Sequence, residues 1–231
     1  ANHQYSTNAD MNGSQAGEGA PLQLTPGQNL HLRKKATNSA FASKIQTLTV
    51  PGRPVSPLYS IDFVTEKTVE PVAVGDEYSL SGNMSGASSG ADLQLGLEPG
   101  TDVYFRTRYT NQTFASQVNS LMVYPRPVIS STEAETTHKA SFNVNIDFMQ
   151  GATYFSAEGI TAVNATLGEV TLLPESKHAS NTDSDVTSYQ VEVHGTASGM
   201  ISLEVLANAV TEGNFRSQPF EIQYVANTTG I

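Results

Sequence analysis

Residues 5–54 and 78–127 align without a gap, and 19 of their 50 paired positions are identical. Unrelated segments of such composition would share about 3. Tyr5-Ser6 faces Tyr78-Ser79, Met11 faces Met84, and Pro26-Gly27 faces Pro99-Gly100. The phrase TNxxFAS recurs at 37–43 and 110–116, and Arg-Pro closes both copies at 53–54 and 126–127. A unit repeating every 73 residues must bury its own core or share one with its neighbours, which points to an array of small modules.

Inside the repeat the side chains alternate with period two, as in a half-buried strand. In DVYFRTRYT, Val103, Phe105, Thr107 and Tyr109 share one face, and Tyr104, Arg106 and Arg108 the other. The first copy sets Leu30 and Leu32 against His31, Arg33 and Lys35. Pro-Gly launches each strand, and proline, which has no N–H for a ladder, closes the next. After it, Val118, Ser120 and Met122 alternate with Leu121 and Val123. Val, Thr, Tyr and Phe are common and Gly and Pro punctuate the chain, a mix that favours strands and turns.

Three segments follow: a partial repeat at 1–54, a complete repeat at 55–127, and a different module at 128–231. The complete unit opens with PLYSIDFVTEKTVEPV, read as an edge strand and a second strand, for which 1–54 has no counterpart. About 19 residues of the first module are thus expected upstream, in a longer array. The chain starts at Ala1 with neither an initiator Met nor a signal peptide, so a mature or internal segment is expected. In 128–231, ASFNVNIDF turns Phe142, Val144, Ile146 and Phe148 inward. GEVTLL, SYQVEVHG, MISLEVLA and PFEIQYV supply further strands, separated by turn-rich pieces such as KHASNTDSD and NAVTEGNFRSQ. The expected fold class is all-β, with tandem β-sandwich domains in an extended array.

Charge narrows the partners. The chain carries −10, distributed as +3 over 1–54, −4 over 55–127 and −9 over 128–231. Such a chain repels nucleic acid and anionic membrane, and no apolar run is long enough to span a bilayer. Arg33-Lys34-Lys35 is its basic cluster, read as a solvated strand face. The absence of cysteine fits a bacterial surface protein that folds without disulfides.

Chemistry is sparse. The histidines at 3, 31, 138, 178 and 194 show no ligand spacing, and no Gly-x-Ser-x-Gly elbow occurs, so neither an enzyme nor a bound cofactor is expected. Calcium is the inorganic candidate. Asp183 and Asp185 stand two apart in NTDSD, and Asp62 with Glu66, or Asp76 with Glu77, could supply oxygen ligands at a junction. Tyr104 and Tyr109, with Tyr124 and Phe114, are candidates for stacking on sugar rings.

LxPGTDVYFRTR followed by FAS, from Leu97 to Ser116 and more weakly from Leu24 to Ser43, resembles the sixth-to-seventh strand region of fibronectin type III domains. Val103 and Leu30 stand where that family places a corner tyrosine, so the repeat is termed fibronectin III-like. Residues 140–225 resemble the bacterial immunoglobulin-like domains of large surface proteins. Repeats ending in TNxxFAS and an Arg-Pro joint are similar to arrays in very large adhesins of gliding, surface-attached bacteria of the Bacteroidota type. That resemblance implies export by the type IX route, a place on the cell surface, and a stalk role in adhesion or gliding motility. The implied partners are neighbouring repeats, cell-surface glycans and outer-membrane anchoring proteins. A polysaccharide-binding module and a terminal segment docking to an outer-membrane partner are the alternatives.

Overall fold

The computed structural model describes residues 2–174 and 186–226. The described residues are almost entirely β in character, with one 3-10 turn among them at Ala157–Gly159. In the first repeat copy the strands are β1 (His3–Ser6), β2 (Gln15–Ala16), β3 (Leu30–Lys34) and β4 (Gln46–Leu48). A hairpin follows, β5 (Ile61–Asp62) and β6 (Lys67–Thr68). The second copy continues with β7 (Asp76–Ser79), β8 (Ser88–Ser89), β9 (Val103–Thr107) and β10 (Asn119–Leu121). The last region holds β11 (Val128–Ser131), β12 (Thr136–Thr137), β13 (Ser141–Phe148), β14 (Ile160–Val163), β15 (Ala165–Leu172), β16 (Thr187–Gly195), β17 (Gly199–Val205) and β18 (Phe220–Tyr224).

The repeat read from the sequence is a repeat of structure. Each strand of the first copy reappears 73 residues later with the same limits. Both sheets have one order, β2-β1-β3-β4 and β8-β7-β9-β10. Register is kept as well: Gln4 pairs with Arg33 and Glu77 with Arg106. The turns repeat for a local reason. The Ser6 hydroxyl donates to the Asn12 carbonyl at 2.9 Å, and the Ser79 hydroxyl donates to the Ser85 carbonyl at 2.7 Å. Within these turns Met11 and Met84 hold positive φ, at 64° and 61°, and both are buried. A left-handed methionine is strained, and burial of its side chain offsets that strain.

Backbone contacts gather the chain into two compact units. Unit 1 comprises Ala1–Leu58, Ala73–Gly90 and Tyr104–Asn119. Its first-copy core is thin: Met11, Leu30 and Val50 are its buried apolar side chains among the described residues. Phe105 in the second copy is fully buried, where Leu32 at the matching place is half-buried.

Unit 2 comprises Tyr59–Val72, Ala91–Val103 and Ser120–Ile231. The second repeat copy thus contributes to both units. The segment read as two strands is a tight hairpin whose pairing is Ile61 with Thr68 and Asp62 with Lys67. It lies along 91–97, with Thr68 N–H donating to Leu95 O and Leu97 N–H to Glu66 O. Leu97 is accordingly 6% exposed, whereas Leu24, its counterpart in a copy without that hairpin, is 39% exposed. Around the second copy's last strand the inward residue is Val123, while Val118 and Met122 stay exposed.

Residues 128–174 and 186–226 form a two-sheet sandwich. One sheet runs β11-β13-β16-β15 and the other β12-β18-β17-β14. Phe142, Val144, Ile146 and Phe148 alternate inward from β13, opposite Val193, Val191, Tyr189 and Thr187 of β16. Ile201, Leu203 and Val205 of β17 face them with Ile222 and Tyr224 of β18. Each such side chain, fully withdrawn from water, stabilises the fold by roughly 1.5–3 kcal/mol. Phe148, Phe155 and Tyr189 meet edge-on or tilted, with ring centroids 5.1–6.1 Å apart. Burial raises the Tyr189 phenol above its ordinary value, and its hydroxyl donates to Ala152 O.

Candidate functional site

The phrase Phe-x-Ser occupies the same structural position three times. In the first copy it is Phe41-Ala42-Ser43, in the second Phe114-Ala115-Ser116, and in the sandwich Phe215-Arg216-Ser217. Each serine docks on the last residue of a strand. The N–H of Lys34, Thr107 and Val205 donates to the Oγ of Ser43, Ser116 and Ser217, at 2.9 Å in every case. Each hydroxyl passes its proton on to the next carbonyl, that of Lys44, Gln117 or Gln218. Each serine N–H returns a bond to the same strand residue. The third occurrence lies inside NAVTEGNFRSQ, which reads as turn-rich. Its signal was Phe-x-Ser-Gln at both 114–117 and 215–218. The loop before it is three residues longer, which hides the match from a gapless alignment. Asn214 pins that longer loop, accepting from the Ala209 N–H and donating to Leu206 O.

Each of the two later phenylalanines carries an arginine from the linker that precedes its module. Arg53 lies over the ring of Phe114, 5.9 Å from its centroid, and its Nη1 donates to Ala115 O at 2.6 Å. Arg126 lies over Phe215, also at 5.9 Å, and its Nη1 donates to Arg216 O at 2.9 Å. These are the same two contacts, a cation on a ring face and a bond to the carbonyl next in sequence.

The surroundings differ. Around Arg53 the linker continues along the same edge: Ser56 Oγ donates to Gln117 O, and Asn119 Nδ2 to Pro57 O. Around Arg126 the hairpin adds a carboxylate and a ring. Arg126 Nη2 meets Glu66 Oε2 at 2.7 Å, and Phe63 packs edge-on to Phe215 with centroids 5.1 Å apart. Gly213, at φ 81°, leaves room for the Phe63 ring, which a Cβ there would overlap.

The candidates read from the sequence fall in different places. Asp183 and Asp185 lie outside the described residues. Asp62 caps its own hairpin turn, accepting from Thr65 Oγ1 and from the Val64 and Thr65 N–H groups. Those bonds, the Thr65 hydroxyl's foremost, hold its carboxyl below the usual range. Glu66 serves Arg126, Glu77 pairs with Arg106, and Asp76 accepts from Thr107 Oγ1. Among the described residues no group of three metal-ligating side chains converges. Tyr104 is half-buried with its ring against Gly82. Tyr109 is 72% exposed and, with Leu24, Leu48, Val50, Pro51 and Phe114, lines a concave site of about 580 Å³ in unit 1. Tyr104 lies outside that lining.

A scan against family models finds no family that matches the chain, and no curated protein matches it.

Proposed function

We propose that the chain is a non-catalytic structural segment of an extracellular repeat adhesin, a spacer built of modules whose joints are set by docked arginines. The observation that carries this reading is the pair of equivalent contacts made by Arg53 and Arg126. A linker that only connected two modules would need no repeated side-chain contact. Here each Arg-Pro linker is fastened to the module that follows it. Proline stiffens the same stretch by fixing φ. Fastened joints limit swing between neighbours, and limited swing is what a spacer requires. Placement on a bacterial surface rests on the resemblance of the repeats alone.

Small-angle scattering on the whole chain tests the spacer reading. An elongated particle that grows more flexible in the double variant Arg53→Gln, Arg126→Gln is expected. A compact, featureless particle unchanged by those substitutions would remove the basis of the proposal.

A second reading draws on the apolar concavity at Tyr109. An exposed tyrosine beside Phe114 could stack on a sugar ring, as a polysaccharide-binding module requires. Binding on a broad glycan array that Tyr109→Ala abolishes would favour it, and silence across the array would leave the spacer.

A further inference from the structure

Of the three Phe-x-Ser edges, two are covered and one is not. Phe215 is 1% exposed under Arg126, Phe114 is half-buried under Arg53, and Phe41 is 99% exposed. A lone exposed phenylalanine is ordinary on a protein surface. Phe41 is not ordinary, because everything that frames it is built to the pattern of its covered counterparts. Thr37 and Ala40 close the turn before it by exchanging backbone bonds; before Phe114 the Thr110 N–H likewise donates to Thr113 O, and the Thr113 N–H returns to the Thr110 hydroxyl. Ser43 fixes the edge to Lys34 with the bonds that Ser116 makes to Thr107. Ala42, whose counterparts Ala115 and Arg216 accept the arginine through their carbonyls, is exposed.

We propose that the Phe41 edge is a docking site for the Arg-Pro linker of a preceding repeat. The inference rests on the spacer reading and deepens it by naming what the first module receives. The occupant is identified by the two filled sites: an extended segment with an arginine on the ring of Phe41, a guanidinium N–H on the Ala42 carbonyl, and proline next in the chain. Lys34, Lys35 and Lys44 border this edge, and Gln117 stands where Lys44 does in the second copy. The ring and the carbonyl therefore hold the arginine against some repulsion, and a free peptide should bind weakly. Screening of those lysines by salt should leave the affinity unchanged or raise it.

The test is an NMR titration of the isotope-labelled full chain with a synthetic peptide of residues 48–58, LTVPGRPVSPL. Saturable shifts of the amides at 41–44 are expected, with a dissociation constant on the order of 1 mM, as a single anchor contact allows. Replacing the peptide's arginine by glutamine should weaken binding about two- to fivefold, the effect of losing one exposed cation–ring contact. Phe41→Ala should do the same, and being fully exposed it leaves the fold intact, which the unchanged remainder of the spectrum verifies. No shift at 41–44 up to several times that concentration would overturn the proposal. Equal binding by the glutamine peptide, or shifts unaffected by Phe41→Ala, would overturn it too. Scattering reports on the spacer reading by itself. An elongated chain with a silent Phe41 sinks only the docking site, and a compact chain whose Phe41 binds the peptide sinks only the spacer.

Discussion

A serine hydroxyl that accepts from one strand and donates to its own chain can be deleted by removing a single atom, and this chain offers the deletion three times. Ser116 and Ser217 are buried, and Ser217 binds the N–H of Val205, which is itself out of contact with water. Ser217→Ala leaves that N–H without a partner, so a loss of about 1–3 kcal/mol is expected. Ser116→Ala should cost toward the lower end of that range, because Thr107 is half-buried. Ser43 and Lys34 are exposed, and water can replace the hydroxyl there. Ser43→Ala should therefore change stability by no more than about 0.5 kcal/mol. Urea unfolding of the three variants checks the order, and a cost at Ser43 equal to that at Ser217 would contradict it. Substitution to Cys or Gly would blur the comparison, since alanine alone removes the oxygen while keeping backbone preferences nearly constant.

At the scale of elements, two carboxylates tie loops together in one way. Glu70 accepts from the N–H and the hydroxyl of Ser60, and Glu212 from the N–H and the hydroxyl of Thr153. Both carboxyls are held below their ordinary range, Glu70 foremost by the Ser60 N–H and Glu212 foremost by the Thr153 hydroxyl. A depressed carboxyl gives stability that is complete above its unfolded pKa, near 4.3, and lost as pH falls through its lower folded value. Amide protection at Ser60 and Thr153, corrected for intrinsic exchange, should accordingly decline only below about pH 4. Glu70→Gln and Glu212→Gln should each remove that decline at their own loop. A decline that survives both substitutions would mean that other groups titrate there. The sequence made the long strands of the sandwich legible because their alternation spans whole turns of period two, as in FNVNIDF and YQVEV. It made the repeat strands legible through duplication. It showed β5 and β6 as two strands in PLYSIDFVTEKTVEPV without fixing their limits, since two-residue strands carry no period, and the FRSQ edge looked like a turn because its bonds run through a side chain. Tyr104 and Tyr109 were legible as aromatics on a strand. Alternation already set them on opposite faces; that Tyr109 is exposed in a concavity, and not inward with Val103 and Phe105, follows from β9 ending at Thr107, which residue type does not encode.

For the whole molecule the two arginine contacts, alike in outline, should differ in strength. Arg126 has a ring, a carbonyl and the Glu66 carboxylate, and its ring partner is packed on a second side by Phe63. Arg53 has a ring and a carbonyl, and Phe114 is only half-buried. Arg126 and Glu66 remain about a quarter to a third exposed, so their ion pair is screened and adds well under its dry value. Arg126→Gln is therefore expected to cost about 1–2 kcal/mol, and Arg53→Gln about 0.5–1 kcal/mol. Two compact units need not unfold together, so one melting curve could average the effects. Hydrogen exchange resolves them: Arg126→Gln should raise exchange at 213–218 and leave 114–119 untouched, and Arg53→Gln should do the reverse. Raising salt from 50 to 500 mM should weaken the wild-type edge at 213–218, where an ion pair contributes, more than the edge at 114–119, where a ring and a carbonyl hold the cation. If both edges respond alike to salt, Glu66 contributes nothing to the second joint, and the joints are one device repeated rather than a plain form and a reinforced one.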